Sequence, residues 1–142
     1  MIELTLKCVP PTSTGQMKRA VRTSKSIRFF KGAALAQAES TLDSLFGQHA
    51  PETPLVGPVA CTIEVTWPYL KSHTSKVCDR ERTDPVYHCQ KPDADNFSKG
   101  VIDSLARMRF LTDDKQVCDL HVTKWYGPAD KVGIYVRLEG LK

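Results

Sequence analysis

The sequence predicts an α+β protein: a single mixed sheet of at least four strands with two main helices, in the order β-α-β-loop-α-β-β. Three observations carry that prediction. Stretches near the N-terminus, around residues 59–67 and after residue 117 alternate apolar and polar side chains with the period of two that half-buried strands require. Two other stretches, around residues 35–46 and 95–105, repeat their apolar residues at helical spacing. No repeat or low-complexity tract interrupts the chain, and residues 1–142 are expected to form one domain.

Taken in order, Ile2, Leu4, Leu6 and Cys8 alternate with Glu3, Thr5 and Lys7, and Pro10-Pro11 stops that strand. The Ser/Thr-rich, basic stretch to about residue 28 reads as a long loop. Leu35, Ala38, Leu42, Leu45 and Phe46, set between Gly32 and Gly47, predict a helix of about four turns. Val59, Cys61, Ile63, Val65 and Trp67 then alternate with Ala60, Thr62, Glu64 and Thr66 in the cleanest strand pattern of the chain, which Pro68 ends. Residues 69–92 are polar, mixed in charge and poor in aliphatics. They read as a second long loop, and such loops in compact domains are usually functional or mobile.

Phe97, Val101, Ile102 and Leu105 mark the second amphipathic helix, capped at its start by Asp95 or a neighbour. Two strands close the chain. Leu120 and Val122 lie in one that runs to Trp125-Tyr126, and Val132, Ile134, Val136 and Leu138 line the other. Gly127-Pro128-Ala129-Asp130 is expected to turn between them as a hairpin.

A chain of 142 residues can bury a core without disulfide staples. Its 41% apolar and 25% charged content excludes a disordered, collagenous or coiled-coil protein. No apolar run approaches the roughly 18 residues of a membrane span. Met1 to Lys7 has neither the basic nor the apolar region of a signal peptide. The five cysteines are odd in number and scattered, so they read as reduced thiols of a cytoplasmic protein. Of these, Cys8, Cys61 and Cys118 fall on strand faces and are expected to be small core residues. His73, Cys78, His88 and Cys89 match no zinc-site spacing.

The net charge of +4 is mild, but its distribution is uneven. Between Met17 and Lys31 lie Lys18, Arg19, Arg22, Lys25, Arg28 and Lys31, with no acidic residue. Such a block repels itself unless it is solvated or set against phosphate, which makes it a candidate footprint on DNA.

The richest chemistry lies in Lys91-Pro92-Asp93-Ala94-Asp95-Asn96-Phe97-Ser98-Lys99, followed by Asp113-Asp114. Projected at about 100° per residue, Asn96, Lys99 and Asp103 fall within about 60° of one another, while Phe97, Val101 and Leu105 take the opposite arc. Carboxylates without His or Cys partners suit Mg²⁺, or Mn²⁺ as a substitute, rather than zinc. Mg²⁺ held by few carboxylates keeps positions for water and phosphate oxygens, as phosphoryl-transfer sites require. A lysine one turn into the helix can offset charge developing on the phosphorus or orient the attacking water. Helix capping accounts for one aspartate, or two. It leaves the Asp-x-Asp-Asn-x-x-Lys pattern with a second Asp-Asp unexplained. A DNA-binding module without catalysis would not set carboxylates beside phosphate unless a cation neutralised them, and this favours a nuclease.

Residues Lys91 to Leu105, then Phe110-Leu111-Thr112-Asp113-Asp114-Lys115-Gln116-Val117, resemble the RusA-like Holliday-junction resolvases. The shared signature is a D-x-D-N-x-x-K helix start, an apolar helix ending in D-A/S-L and a D-D-x-Q-V approach to a strand. Pro10-Pro11-Thr12-Ser13 resembles the family's proline-rich turn after the first strand, whereas residues 48–90 carry little of the likeness. The resemblance implies a RusA-like fold and a Mg²⁺-dependent, homodimeric endonuclease, often phage-encoded, that makes paired nicks in four-way DNA junctions. It implies Asp93, Asp95 and Asp114 as metal-binding carboxylates, Lys99 as the catalytic lysine, and Asn96 and Asp113 as supporting residues; Asp103 joins the supporting set by its place on the helix. Lys18, Arg19, Arg22, Lys25 and Arg28 would bind the DNA backbone. A nuclease of the same chemistry acting on flaps or forks is the alternative. Two departures from the pattern stand out: Gly100 inside the helix, where Ala would be more stable by about 1 kcal/mol, and the basic Ala106-Arg107-Met108-Arg109 passage, where such turns often carry Asn-Gly.

Overall fold

A computed structural model describes residues 1–14, 19–30, 32–76 and 81–142, the side chains of Arg19, Phe29 and Phe30 excepted. In chain order the elements are β1 (Ile2–Leu6), β2 (Arg19–Arg22), β3 (Ile27–Phe30), α1 (Ala33–Gly47), β4 (Val59–Pro68), β5 (Val86–Tyr87), α2 (Ala94–Arg107), β6 (Val117–Gly127) and β7 (Gly133–Gly140). This is the expected α+β class, with one mixed main sheet and two helices. The chain forms two compact units: residues 1–10, 56–90 and 115–142 make one, and residues 11–55 and 91–114 the other.

The first unit is a five-stranded sheet in the order β1-β7-β4-β6-β5. The most regularly apolar strand, β4, takes the centre, with Val59, Cys61, Ile63, Val65 and Trp67 all buried. Its antiparallel register with β7 sets Cys61 opposite Leu138, Ile63 opposite Val136 and Val65 opposite Ile134, so one face is continuously aliphatic. Leu4 and Leu6 of β1 extend that face opposite Val136 and Ile134. Gly133 sits where β7 begins, at φ +153 with the Leu6 carbonyl 2.3 Å from where a Cβ would lie, so no side chain fits there.

The expected hairpin between the last two strands does not form. β6 pairs parallel with β4, and β7 pairs with β4 on its other edge, so β4 separates the two. Sequence neighbours are sheet neighbours only about two-thirds of the time, and here the strand richest in apolar residues displaces them from each other. Parallel pairing needs a long crossover, which residues 69–116 supply. The presumed loop at 69–92 also contains β5, which pairs Val86 with Tyr126 and Tyr87 with Trp125. Cys118 is exposed rather than in the core, its Sγ 3.3 Å from the Gln116 carbonyl oxygen. Cys61 is buried as expected, and that burial pushes its thiol up to about 12.

The second unit packs α1 against α2 and carries the β2–β3 ribbon. Leu35, Ala38, Leu42 and Phe46 form the buried stripe of α1, and Phe97, Val101, Ile102 and Leu105 that of α2. The ribbon lies in the stretch expected to be loop. Its turn closes where Thr23 donates its N–H to the Ser26 carbonyl at 2.8 Å and its hydroxyl accepts the Ser26 N–H at 3.1 Å. The strands give a periodicity test little to find: among the described side chains, Ala20, Val21, Arg22, Ile27 and Arg28 are all exposed.

The C-terminus of α2 explains the basic passage. Phe110 N–H bonds to the Leu105 carbonyl at 2.9 Å and Arg109 N–H to that of Ala106 at 3.1 Å, the paired bonds of a Schellman ending. Arg109 occupies its left-handed position at φ 64, where Gly or Asn is usual. Phe110 and Leu105 are both fully buried, and the Phe110 ring meets Phe46 edge-on at 6.0 Å.

Candidate active site on the second helix

Pro92 is fully buried and follows a cis peptide bond, and the next residue begins the site. Asp93 is the N-cap of α2, in extended conformation at φ −65 and ψ 149, and its carbonyl accepts the Phe97 N–H at 2.9 Å. The cap is therefore Asp93, a near neighbour of Asp95, as the expectation allowed. Its carboxylate makes no capping bond to the helix N–H groups; Oδ2 lies 3.5 Å from Asn96 Nδ2 instead. Asp93 and Asp95 are both exposed, and Asp95 contributes to the helix through its main-chain carbonyl, which accepts the Ser98 hydroxyl at 2.9 Å. Asp95 in the first turn and Asp93 at the N-cap lie at the end of the helix dipole that favours acidic side chains.

Lys99 and Asp103 lie four residues apart on the polar arc, Nζ to Oδ1 at 3.6 Å, as the projection predicts. The lysine side chain is 72% exposed, so its charge stands in solvent beside the helix start. Asp113 is half-buried, and the exposed Asp114 opens a short 3-10 turn over Asp114–Gln116 that leads into β6. Asp93, Asp95, Asn96, Lys99 and Asp103 thus share one helix, while Asp113 and Asp114 lie at the far end of its following turn. Among the described residues no three His, Cys, Asp or Glu side chains are gathered around one point.

Of the basic set, Arg22, Lys25 and Arg28 are exposed on the ribbon. Lys18 lies outside the described residues, as does the side chain of Arg19.

Two features escape sequence reasoning. Asp43 of α1 accepts from Arg107 Nε and Nη2, each at 2.9 Å, and from the hydroxyl of the fully buried Ser104, which binds α1 to α2. An isolated Asp in an amphipathic helix gives no signal of such a partner sixty residues away. In the sheet unit, His88 lies against Trp67 at 4.3 Å and Tyr126 at 4.4 Å, its ring tilted 35° and 30° to theirs. Among the described residues its buried Nδ1 has no hydrogen-bond partner, and desolvation, followed by the nearby Lys124 charge, holds its pKa below the ordinary histidine range.

The profile of the endodeoxyribonuclease RusA family matches residues 9–139. The chain belongs to the RusA family. That match takes in the Asp93–Lys99 helix start, Asp113-Asp114 and the β2–β3 ribbon. This RusA-family chain is also similar to a Bacillus subtilis (strain 168) protein described as uncharacterized, YqaN, with 30% identity over 129 residues that make up 89% of each chain. Among the described residues, no helix is long and apolar enough to cross a membrane.

Proposed function

We propose that this RusA-family protein is a Mg²⁺-dependent endonuclease that resolves four-way DNA junctions by paired nicks, in recombination and repair. One observation carries the reading: the Asp93 carboxylate stands at a helix N-terminus without capping it, beside the exposed Asp95 and one turn before the exposed Lys99. Structural use of Asp93 would have spent that carboxylate on the helix N–H groups.

Asp93, Asp95 and Asp114 would hold the ion, with Mn²⁺ as a substitute. Their donor set is all oxygen, which suits a hard, partly hydrated cation; the three side chains are exposed and not gathered around one point, so the ion would draw them together. When bound, Mg²⁺ supplies charge neutralisation at the phosphate and activation of water. Lys99 offsets negative charge developing on the phosphoryl oxygens, with Asp103 orienting its ammonium group. Asn96 holds Asp93, and Asp113 supports its neighbour Asp114. Arg22, Lys25 and Arg28, with Lys18 and Arg19, bind backbone phosphates. Paired nicks call for two such sites, hence a homodimer, acting in the cytoplasm of a bacterium, from a chromosomal or phage-derived gene.

The test compares four-way, flap and linear duplex substrates with and without Mg²⁺. Symmetric nicking of the four-way substrate is expected, with Asp93→Asn and Asp114→Asn reducing cleavage by orders of magnitude while metal-free DNA binding holds or tightens. Calorimetric Mg²⁺ titration should show weaker binding in both variants. Near-normal nicking by Asp114→Asn refutes the site, and preference for the flap refutes junction resolution.

A further inference from the structure

A cleft of about 310 Å³ opens between α1, α2 and the segment at residues 11–14. Leu35, Ala38 and Leu42 form its apolar side, and Asn96, Lys99 and Gly100 its polar side. The two cations on its rim already have acidic partners: Lys99 is 3.6 Å from Asp103 and Arg107 2.9 Å from Asp43. A rim neutralised in this way favours an uncharged guest with apolar faces and polar edges over a bare anion. The volume is at the low end of the range for ligand pockets, room for one compact guest and not for an extended one.

Gly100 is an independent sign of a guest. It stands inside α2, where glycine is the least stable choice after proline, yet a Cβ built on it would meet nothing within 4 Å. No contact with the described residues requires the side chain to be missing. What its absence does is widen the cleft one residue from Lys99.

We propose that this cleft receives one unstacked nucleoside, base and deoxyribose, of the DNA strand engaged at Asp93–Lys99, and that Gly100 is the gap through which it enters. The proposal rests on the endonuclease reading above. Leu35 and Leu42 offer apolar surface to the faces of base and sugar, while the Asn96 amide and Ser13 hydroxyl can bond to the base edge. The phosphate of that nucleotide stays outside, within reach of the exposed Lys99. Bases at a branch point are the least well stacked in the duplex, so they cost least to extrude. The cleft therefore supplies a physical basis for preferring branched over linear DNA.

Gly100→Ala and Gly100→Leu fill the gap progressively with better helix formers. Both should melt at or above the wild-type temperature, while cleavage of the four-way substrate falls, by about tenfold or more for Gly100→Leu. A fluorescent adenine analogue at the branch point should brighten on binding wild type without metal and stay dim with Gly100→Leu. If Gly100→Leu nicks and brightens the substrate as wild type does, the cleft assignment is wrong and the endonuclease reading stands. If wild type nicks the four-way substrate but never brightens the probe, the assignment is equally wrong. If wild type neither binds nor cuts branched DNA, both fall. Should Gly100→Leu melt lower, Gly100→Ala with the same readouts decides the matter.

Discussion

Replacing Asp43 with Ala should loosen the helix pair that carries the candidate site, and the structure sets the size of the effect. Ser104 is fully buried, and its hydroxyl donates to Asp43. Leaving a buried hydroxyl without its acceptor costs about 1–3 kcal/mol. The Arg107 fork on the same carboxylate is 40% exposed on the arginine side, so its loss adds only about 0.2–1 kcal/mol. Alanine's better helix propensity returns about 0.5 kcal/mol. The expected net loss is about 2 kcal/mol, or a fall in Tm of about 4–8 °C for a chain of this length. Urea unfolding followed by circular dichroism measures it. Asp43→Asn, which keeps one acceptor, should lose less. In a double-mutant cycle with Ser104→Ala, the pair should show about 1 kcal/mol of coupling. An Asp43→Ala variant within 0.5 kcal/mol of wild type (the usual range of neutral surface changes), or strict additivity with Ser104→Ala, would refute the reasoning.

Arg109→Gly should raise stability by about 1 kcal/mol, because it relieves the left-handed conformation at φ 64; an unfolding midpoint at or below wild type would show that the arginine side chain compensates. His88 is neutral in the fold because its pKa is lowered, whereas in the unfolded chain it titrates near 6.5. As pH falls below about 6.5 the unfolded state takes up a proton that the native state refuses, so this residue should cost up to about 1.4 kcal/mol per pH unit until native His88 titrates. Above that pH its contribution is fully present, and His88→Phe should flatten the acid limb of a stability–pH curve. Neutralising Arg22, Lys25 and Arg28 together should weaken binding to all junction sequences alike and flatten the log–log salt slope by up to about 2.7, counting about 0.9 per phosphate contact; an unchanged slope would make the ribbon a merely solvated one.

Much of this protein is legible without coordinates because it is written in spacings of two to four residues. The alternation in Val59–Trp67 and the heptad-like run from Phe97 to Leu105 specify their own element and buried face, since a strand repeats every two residues and a helix every 3.6. The Asp93–Lys99 cluster is local in the same way, and one helix turn is enough to gather Asn96, Lys99 and Asp103. The β2–β3 ribbon leaves no such trace, because in four-residue strands Val21 and Ile27 stand exposed beside Arg22 and Arg28 and set up no run of apolar alternation. Strand order is a different kind of quantity. Whether β7 pairs with β6 or with β4 depends on competition between distant segments for the same edge, and the more apolar strand wins the central place. The Asp93 carboxylate is the sharpest case. Its position before a helix predicts a cap, and only the three-dimensional geometry shows the side chain turned from the N–H groups toward Asn96. Asp43 likewise gains its meaning from Ser104 and Arg107, sixty residues along the chain, through a contact that exists only after α1 and α2 have packed.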